Sequence, residues 1–319
     1  MIARMTPIVF VGGPTASGKS ALALALGETL GGTIVNADSM QIYRDLAVLT
    51  ARPTAADEAR LPHRLFGILD AADPCSAERW RGLAETEITA AAGQRRLPIL
   101  AGGTGLYFRA LLDGLAPVPE IPPEIRRAAR ALHTEIGGVA FHAALAGQDP
   151  ETAARLHPAD SQRLIRAYEV VAATGLSLTL WQRAQPAAAR RPAAAVLLLP
   201  ARVAIQDSAN RRFEAMVAGG AIDEVRALMR RGLPPDLPIM KAVGVPELSR
   251  YLAGEITLEA AIAAAQQATR RYIKRQMTWF HHQMPPGEEI SILRLNTQFS
   301  ESLLPDIFSF IRQFLLTAV

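Results

Sequence analysis

The sequence predicts an α/β fold, a P-loop-type parallel sheet covered by helices on both faces, with an all-helical domain inserted between two of its strands. Three observations carry this. Short apolar runs of strand length alternate with helical stretches through the first third of the chain, which implies right-handed crossovers and a sheet buried on both sides. The first run, Ile8-Val9-Phe10-Val11, leads into Gly13-Pro14-Thr15-Ala16-Ser17-Gly18-Lys19-Ser20, the phosphate-loop spacing of two glycines, a lysine and a hydroxyl. From 124 to 185 only helical patterns occur, before a buried-strand pattern resumes at Ala193.

The Ala- and Leu-rich stretch 20–30 reads as a helix, so the loop sits where a strand hands over to a helix N-terminus. Unpaired backbone N–H groups and the positive end of the helix dipole favour a polyphosphate there, and glycines let the backbone approach it. Lys19 would reach the terminal phosphates, and the Ser20 hydroxyl would help hold Mg²⁺. Thr33-Ile34-Val35-Asn36-Ala37 reads as a second strand that delivers Asp38-Ser39-Met40-Gln41 at its carboxyl end, and 65–69 as a third. A helix is expected over 76–92, capped by Ser76. Leu97-Pro98-Ile99-Leu100-Ala101 reads as another strand, ending in Gly102-Gly103-Thr104-Gly105 before a helix over 106–112. Ligands of such sheets bind beyond the carboxyl ends of the strands, so the phosphate loop, Asp38 and Thr104 are expected to converge on one crevice.

Pro117-Val118-Pro119-Glu120-Ile121-Pro122-Pro123 is a stiff segment that cannot be helix interior. The expected organisation is a discontinuous core over 1–115 and 193–319, with a helical insertion over 116–192. Helices are expected over 124–136 and 161–174 within the insertion, and over 206–218 and 221–231 beyond it. The clearest amphipathic helix covers 258–283. Ile262, Thr269, Tyr272, Ile273, Gln276, Met277 and Phe280 fall on one side, and Arg270, Arg271, Lys274, Arg275, His281 and His282 on the other. The segment 306–317 is expected to dock on the core as a last helix, an ordinary packing role.

Half the residues are hydrophobic and 20% charged, an ordinary soluble composition that excludes wholesale disorder. The net charge is only +4, but clustered arginines leave room for a polyanionic partner. Only Lys19, Lys241 and Lys274 are lysines among 34 basic residues, so a lysine in the loop points to a need for a compact ammonium. The single Cys75 excludes an internal disulfide and a cysteine zinc cluster, and a cytoplasmic protein is expected. The longest apolar stretches, 193–199 and 308–319, are too short to span a bilayer, so no membrane partner is expected.

Four further features bear on chemistry. Asp38 could bind Mg²⁺ through water or act as a general base, or it could simply cap a helix. Thr104 could bond a reacting group, although its spacing better fits a cap for the helix at Leu106. Arg211 and Arg212 could supply a guanidinium to a phosphate leaving group, whereas Glu224, Arg226, Arg230 and Arg231 read as solvated. The basic face of 258–283, with Trp279 at its border, and the arginines of Gln162-Arg163-Leu164-Ile165-Arg166 could lie along a nucleic-acid backbone.

Together these stretches resemble the tRNA dimethylallyltransferase family. The resemblance rests on Gly12 through Ser20, Asn36-Ala37-Asp38-Ser39-Met40-Gln41-Ile42-Tyr43, Pro62-His63-Arg64, Gly102-Gly103-Thr104-Gly105-Leu106-Tyr107 and Gln162-Arg163-Leu164-Ile165-Arg166. It continues through Arg211-Arg212-Phe213, Val243-Gly244 and Thr269-Arg270-Arg271-Tyr272-Ile273-Lys274-Arg275-Gln276-Met277-Thr278-Trp279-Phe280. It implies transfer of a dimethylallyl group from dimethylallyl diphosphate to the exocyclic amine of the adenosine 3′ to a tRNA anticodon. By this resemblance Asp38 is the general base, Thr104 bonds near the transferred group, and Arg212 neutralises the departing diphosphate with Lys19 and Mg²⁺. The diphosphate is gripped by Gly13, Thr15, Ala16, Ser17, Gly18, Lys19 and Ser20. The anticodon stem-loop is met by Asp38, Ser39, Met40 and Gln41 and by Gln162, Arg163, Leu164, Ile165 and Arg166 of a tRNA-gripping insertion; Arg270 and Lys274 on the basic face of 258–283 are expected to join them. A monomer is expected. Val245-Pro246 departs from the aromatic and basic pair common in the family, which leaves a tRNA contact around 241–246 open. The alternatives are a small-molecule kinase using the loop for ATP and a nucleotide-switched RNA-binding protein.

Overall fold

The computed structural model describes residues 5–185, 191–284 and 290–318. The chain divides into two compact units, 1–112 with 190–319, and 113–189. Residues 186–190 of the expected insertion lie outside the described residues.

The elements of the first unit begin with β1 (Ile8–Gly12), α1 (Lys19–Leu30), β2 (Gly32–Asn36), α2 (Ala55–Arg60), β3 (His63–Arg64), α3 (Ala77–Gly93), β4 (Leu97–Gly102) and α4 (Gly105–Asp113). The second unit holds α5 (Pro123–Gln148), α6 (Pro150–Ala153), α7 (Ser161–Thr174) and α8 (Leu178–Arg183). The first unit resumes with β5 (Ala193–Leu198), α9 (Arg202–Met216), a π-helical turn at Val217–Ala221, α10 (Ile222–Arg230), α11 (Val245–Leu252), α12 (Leu258–His282), β6 (Ile290–Leu295) and α13 (Leu304–Thr317).

Six strands form one sheet in the order β3-β2-β4-β1-β5-β6, all parallel. Successive strand side chains leave on opposite faces, and each face needs cover. Ile8, Phe10, Ala193, Ala195 and Leu197 enter a core shared with α3, α4 and α9 to α12. Val9, Val11, Ala194, Val196 and Leu198 enter a second core with α1 and α13. The register matters for the site. Gly12 pairs with Gly102 and Asn36 with Ala101, so β1, β4 and β2 end level with one another and side by side.

One strand expectation needs correction, and one strand was not expected. The third strand is not 65–69 but the two residues of β3; Leu65 and Gly67 take positive φ there, and only Leu69 bridges back to Tyr43. β6, which no apolar run in the sequence announced, pairs along the whole length of β5. The segment 306–317 docks on the core as expected, within α13, where Ile307, Ile311 and Phe314 are buried. The helices over 76–92 and 161–174 appear as α3 and α7, with Ser76 and Asp160 accepting from the third helical N–H as caps.

Within the second unit α5 runs to Gln148, beyond the expected 136, and is kinked at Gly137, whose φ of 76° is open to glycine. Phe141, Leu145, Ala153, Leu164, Ala167 and Val171 form this unit's own core.

Candidate active site

The phosphate loop links β1 to α1. Gly18 caps α1 in the left-handed region, and no acidic side chain occupies the helix's first turn, so the N-terminal amides stay available to an anion. Gly13 has φ 148°, and a Cβ there would stand 2.4 Å from the Leu198 carbonyl oxygen. Residues after β6 brace the loop from outside. The Gln298 amide donates to the Ala16 carbonyl at 3.0 Å, and the Phe299 N–H donates to the Ser17 carbonyl at 3.0 Å. A Cβ on Gly18 would meet Phe299 Cβ at 2.7 Å, so loop and brace fit only with glycine there. The Ser17 hydroxyl is fully buried. Lys19 Nζ donates to the Pro14 carbonyl at 2.7 Å and so spans the loop it belongs to.

At the end of β2, buried Asn36 organises the turn carrying Asp38. Its Oδ1 accepts from the Asp38 N–H at 2.8 Å, its Nδ2 donates to the carbonyls of Asp38 and Leu65, and its own carbonyl accepts from Trp80 Nε1. Asp38 Oδ1 in turn accepts from the Met40 N–H at 2.9 Å, while its other oxygen lies outside this turn bond. The Gln41 amide donates to the carbonyls of Thr50 and Ala51.

The end of β4 comes within backbone contact of this turn. The Thr104 N–H donates to the Ala37 carbonyl, and a Cβ on Gly102 would lie 2.1 Å from that same carbonyl. The Thr104 hydroxyl does not serve α4 as a cap, as its spacing suggested. It accepts from the Ser39 N–H at 3.0 Å and donates to the Ser39 hydroxyl at 3.3 Å. The β2 and β4 loops are thus sewn together beside Asp38.

Electrostatics unite these parts. Burial pulls Lys19 down from its ordinary value to about 8; Asp38 pushes it up, and Arg212, reaching in from α9, pulls it down further. Burial also lowers Arg212, with Asp38 opposing. Tyr272 of α12 is raised by burial and by the Asp38 carboxylate, while Arg275 and a hydrogen bond with Thr104 act the other way. Lys19, Asp38, Thr104 and Arg212 therefore share one site at the carboxyl ends of β1, β2 and β4, with Tyr272 beside them. A carboxylate in the field of an ammonium and a guanidinium can take a proton from a neutral nucleophile while the two cations hold an anionic leaving group.

Other expected residues have different surroundings. Arg211, Arg271, Lys274 and Arg275 are exposed, and Arg270 donates to Asn210 Oδ1 at 3.4 Å. Trp279, half-buried, packs its indole ring against Gly105, where a Cβ would sit 2.0 Å from it. In the second unit Gln162 lies in the first turn of α7, Arg163 pairs with Asp160, and Arg166 lies 3.8 Å from the buried Glu169. Leu164 is wholly buried in that unit's core, and Ile165 packs against it.

Glu224 and Arg231 are not merely solvated. The Glu224 carboxylate accepts three backbone N–H groups, from Ala47 and Val48 at 2.8 Å and Leu49 at 3.0 Å. Arg231 bridges Asp45 and Asp70. Sequence reasoning also gave no role to Asn36, Gln276 or Gln298. Gln276 alone carried a signal, as a polar side chain within the apolar stripe of α12.

A family model described as IPP transferase matches residues 41–283, and one described as isopentenyl transferase matches residues 6–66. The chain is 51% identical over 313 residues to the tRNA dimethylallyltransferase of Rhodospirillum rubrum, covering 98% of this chain and 96% of that one. It is 51% identical to that of Paramagnetospirillum magneticum over 319 residues and the whole of both chains. Among solved structures, the tRNA isopentenylpyrophosphate transferase of Bacillus halodurans matches with a TM-score of 0.69 and 32% identity, over 99% of this chain and 98% of that one. A eukaryotic dimethylallyltransferase acting on tRNA shares the fold, with a TM-score of 0.77 at 21% identity over 97% of this chain and 80% of that one.

Proposed function

This chain belongs to the IPP transferase family of tRNA dimethylallyltransferases, and we propose that it transfers the dimethylallyl group of dimethylallyl diphosphate to the exocyclic amine of the adenosine 3′ to a tRNA anticodon. The observation that carries the reading is the electrostatic cluster of Lys19, Asp38 and Arg212, which gathers at the carboxyl end of the sheet. The adenine amine is a weak nucleophile because its lone pair is delocalised into the ring. As it attacks the first carbon of the dimethylallyl group, the N–C bond forms, the C–O bond to diphosphate breaks, and the amine proton passes to Asp38. A positioned general base contributes about 10²- to 10⁴-fold. Lys19, Arg212 and the loop amides stabilise the charge that gathers on the departing diphosphate. Thr104, held at the Ser39 amide, sets the edge of the pocket beside Asp38.

Among the described residues no group of three or more His, Cys, Asp and Glu is placed to hold a metal ion. The Ser20 hydroxyl at the exposed start of α1 is a hard oxygen donor, which suits Mg²⁺ bound jointly with diphosphate oxygens. The ion would neutralise leaving-group charge.

The adenosine is the acceptor only when flipped out of the anticodon stack. Exposed Arg271, Lys274 and Arg275 of α12, with Arg270, face the tRNA backbone in this reading, and Gln162, Arg163 and Arg166 of the second unit grip the stem-loop. Among the described residues no helix is long and apolar enough to cross a membrane. We place the enzyme in the cytoplasm, acting as a monomer. A kinase or a nucleotide switch is not favoured, because the relatives named above match along the whole chain.

The test supplies purified protein and Mg²⁺ with labelled dimethylallyl diphosphate and either unmodified tRNA or AMP, and with ATP in place of the donor. Label enters tRNA at the adenosine 3′ to the anticodon. Label in AMP alone, or phosphoryl transfer from ATP, refutes the reading. Asp38→Asn lowers kcat by about 10²- to 10⁴-fold and leaves diphosphate binding in place; an unchanged kcat removes Asp38 from the base role.

A further inference from the structure

We propose that Gln276 is a positioning residue, a buried amide clamp that holds the phosphate loop and the Thr104 turn in one catalytic arrangement. The role rests on the transfer reaction proposed above. Gln276 is only 5% exposed and lies on the face of α12 that also buries Thr269, Ile273, Met277 and Phe280. Its Oε1 accepts from the Thr15 N–H at 3.0 Å, and its Nε2 donates to the Gly103 carbonyl at 3.0 Å. Thr15 belongs to the loop after β1, and Gly103 to the turn after β4. Thr104 follows and accepts from the Ser39 N–H next to Asp38. One chain of hydrogen bonds therefore runs from the diphosphate grip to the proton acceptor.

The fit is specific. A Cβ on Gly103 would stand 2.0 Å from Gln276 Nε2, so the glycine makes room for the amide. A buried amide is costly unless both ends are bonded, and an apolar side chain would serve this stripe better if packing were its only task. Only an amide presents one acceptor and one donor at this reach: a carboxylate would set an oxygen against the Gly103 carbonyl, and an ammonium could not accept from Thr15. Tyr272, one turn earlier on α12, lies beside Thr104 and Asp38, so the helix meets this turn at two points. The clamp fixes the distance between the bound diphosphate and Asp38, and with it the alignment of amine, carbon and leaving oxygen. Misplacement by about 1 Å costs on the order of 10²-fold in rate.

Two variants test this. Gln276→Met keeps length and loses both bonds; Gln276→Glu keeps the acceptor for Thr15 and loses the donor to Gly103. Steady-state kinetics with tRNA and dimethylallyl diphosphate are measured per folded site, with thermal unfolding in parallel. In Gln276→Met, kcat falls about tenfold to a hundredfold and the donor KM rises. In Gln276→Glu the donor KM stays near the parent value while kcat falls. If both variants keep kcat and donor KM within about twofold per folded site, the clamp is only structural and the proposal fails. Amide hydrogen exchange on the parent needs no variant: the Thr15 amide exchanges slowly, and exchange at the rate of an open loop overturns the assignment. Failure of the parent to label tRNA sinks the transfer reading instead, and leaves the exchange result to judge the bond itself.

Discussion

Lys19 provides a sharp test of the site's electrostatics. Its fall from 10.5 to about 8 corresponds to about 3 kcal/mol withheld from the ammonium by its buried setting. With a midpoint near 8, Lys19 in the ligand-free protein is mostly charged at pH 7 and mostly neutral at pH 9. The folded value lies below the unfolded one, so the unfolded chain binds more protons between about pH 8 and 10.5. The Lys19 contribution to stability therefore rises with pH across that window. Diphosphate reverses the balance by placing several negative charges beside the ammonium, so binding above pH 8 takes up a proton and weakens as pH rises. The assay is NMR of protein labelled at the lysine ε-carbon, which is tractable because the chain has only Lys19, Lys241 and Lys274. One of the three resonances titrates near pH 8 and is absent from Lys19→Met. Adding Mg²⁺ and diphosphate moves its midpoint upward. Asp38→Asn moves the midpoint lower and Arg212→Met moves it higher, because those side chains act on Lys19 in opposite directions. Three resonances all titrating above pH 10, or a midpoint near 8 that ignores diphosphate, would refute the reasoning.

The other predictions concern the framework. Glu224→Ala leaves three backbone N–H groups of 47–49 without their carboxylate and destabilises the fold by about 3 kcal/mol, which thermal unfolding reads as a fall of roughly 5–10 °C; a change under about 1 °C removes this role. Gly102→Ala drives a Cβ into the Ala37 carbonyl, forces the ends of β2 and β4 apart and lowers both stability and kcat. Parent-like kcat in that variant means that the Asp38 and Thr104 turns need not be in contact during the reaction.

The helix stops and starts were legible where one side chain caps its own chain, as Ser76 does, and β1, β2 and β4 were legible as short apolar runs ending in polar loops. β6 was not read, because Ile290–Leu295 mixes serine and arginine into an edge strand whose identity comes from pairing with β5. Thr104 was better suited to a cap on spacing, yet the neighbouring strand end offered its hydroxyl the Ser39 amide instead. Glu224 looked like any charged residue on an amphipathic helix; its three N–H donors lie about 175 positions earlier.

The sequence by itself determined the fold class and the chemistry of each strand end. A phosphate loop needs only a strand, two glycines, a lysine and a helix start in succession, and Asp38 and Thr104 each follow their own strand by two residues. Tertiary structure alone decided how those ends are joined and held: Asn36 under Asp38, Arg212 and Tyr272 beside it, Gln276 between the loops, and Gln298 and Phe299 behind the phosphate loop. The physical reason is range. Caps, turns and periodicities act within a few residues, whereas the bonds that align donor and acceptor reach across as many as 282 positions, and their partners are chosen by packing.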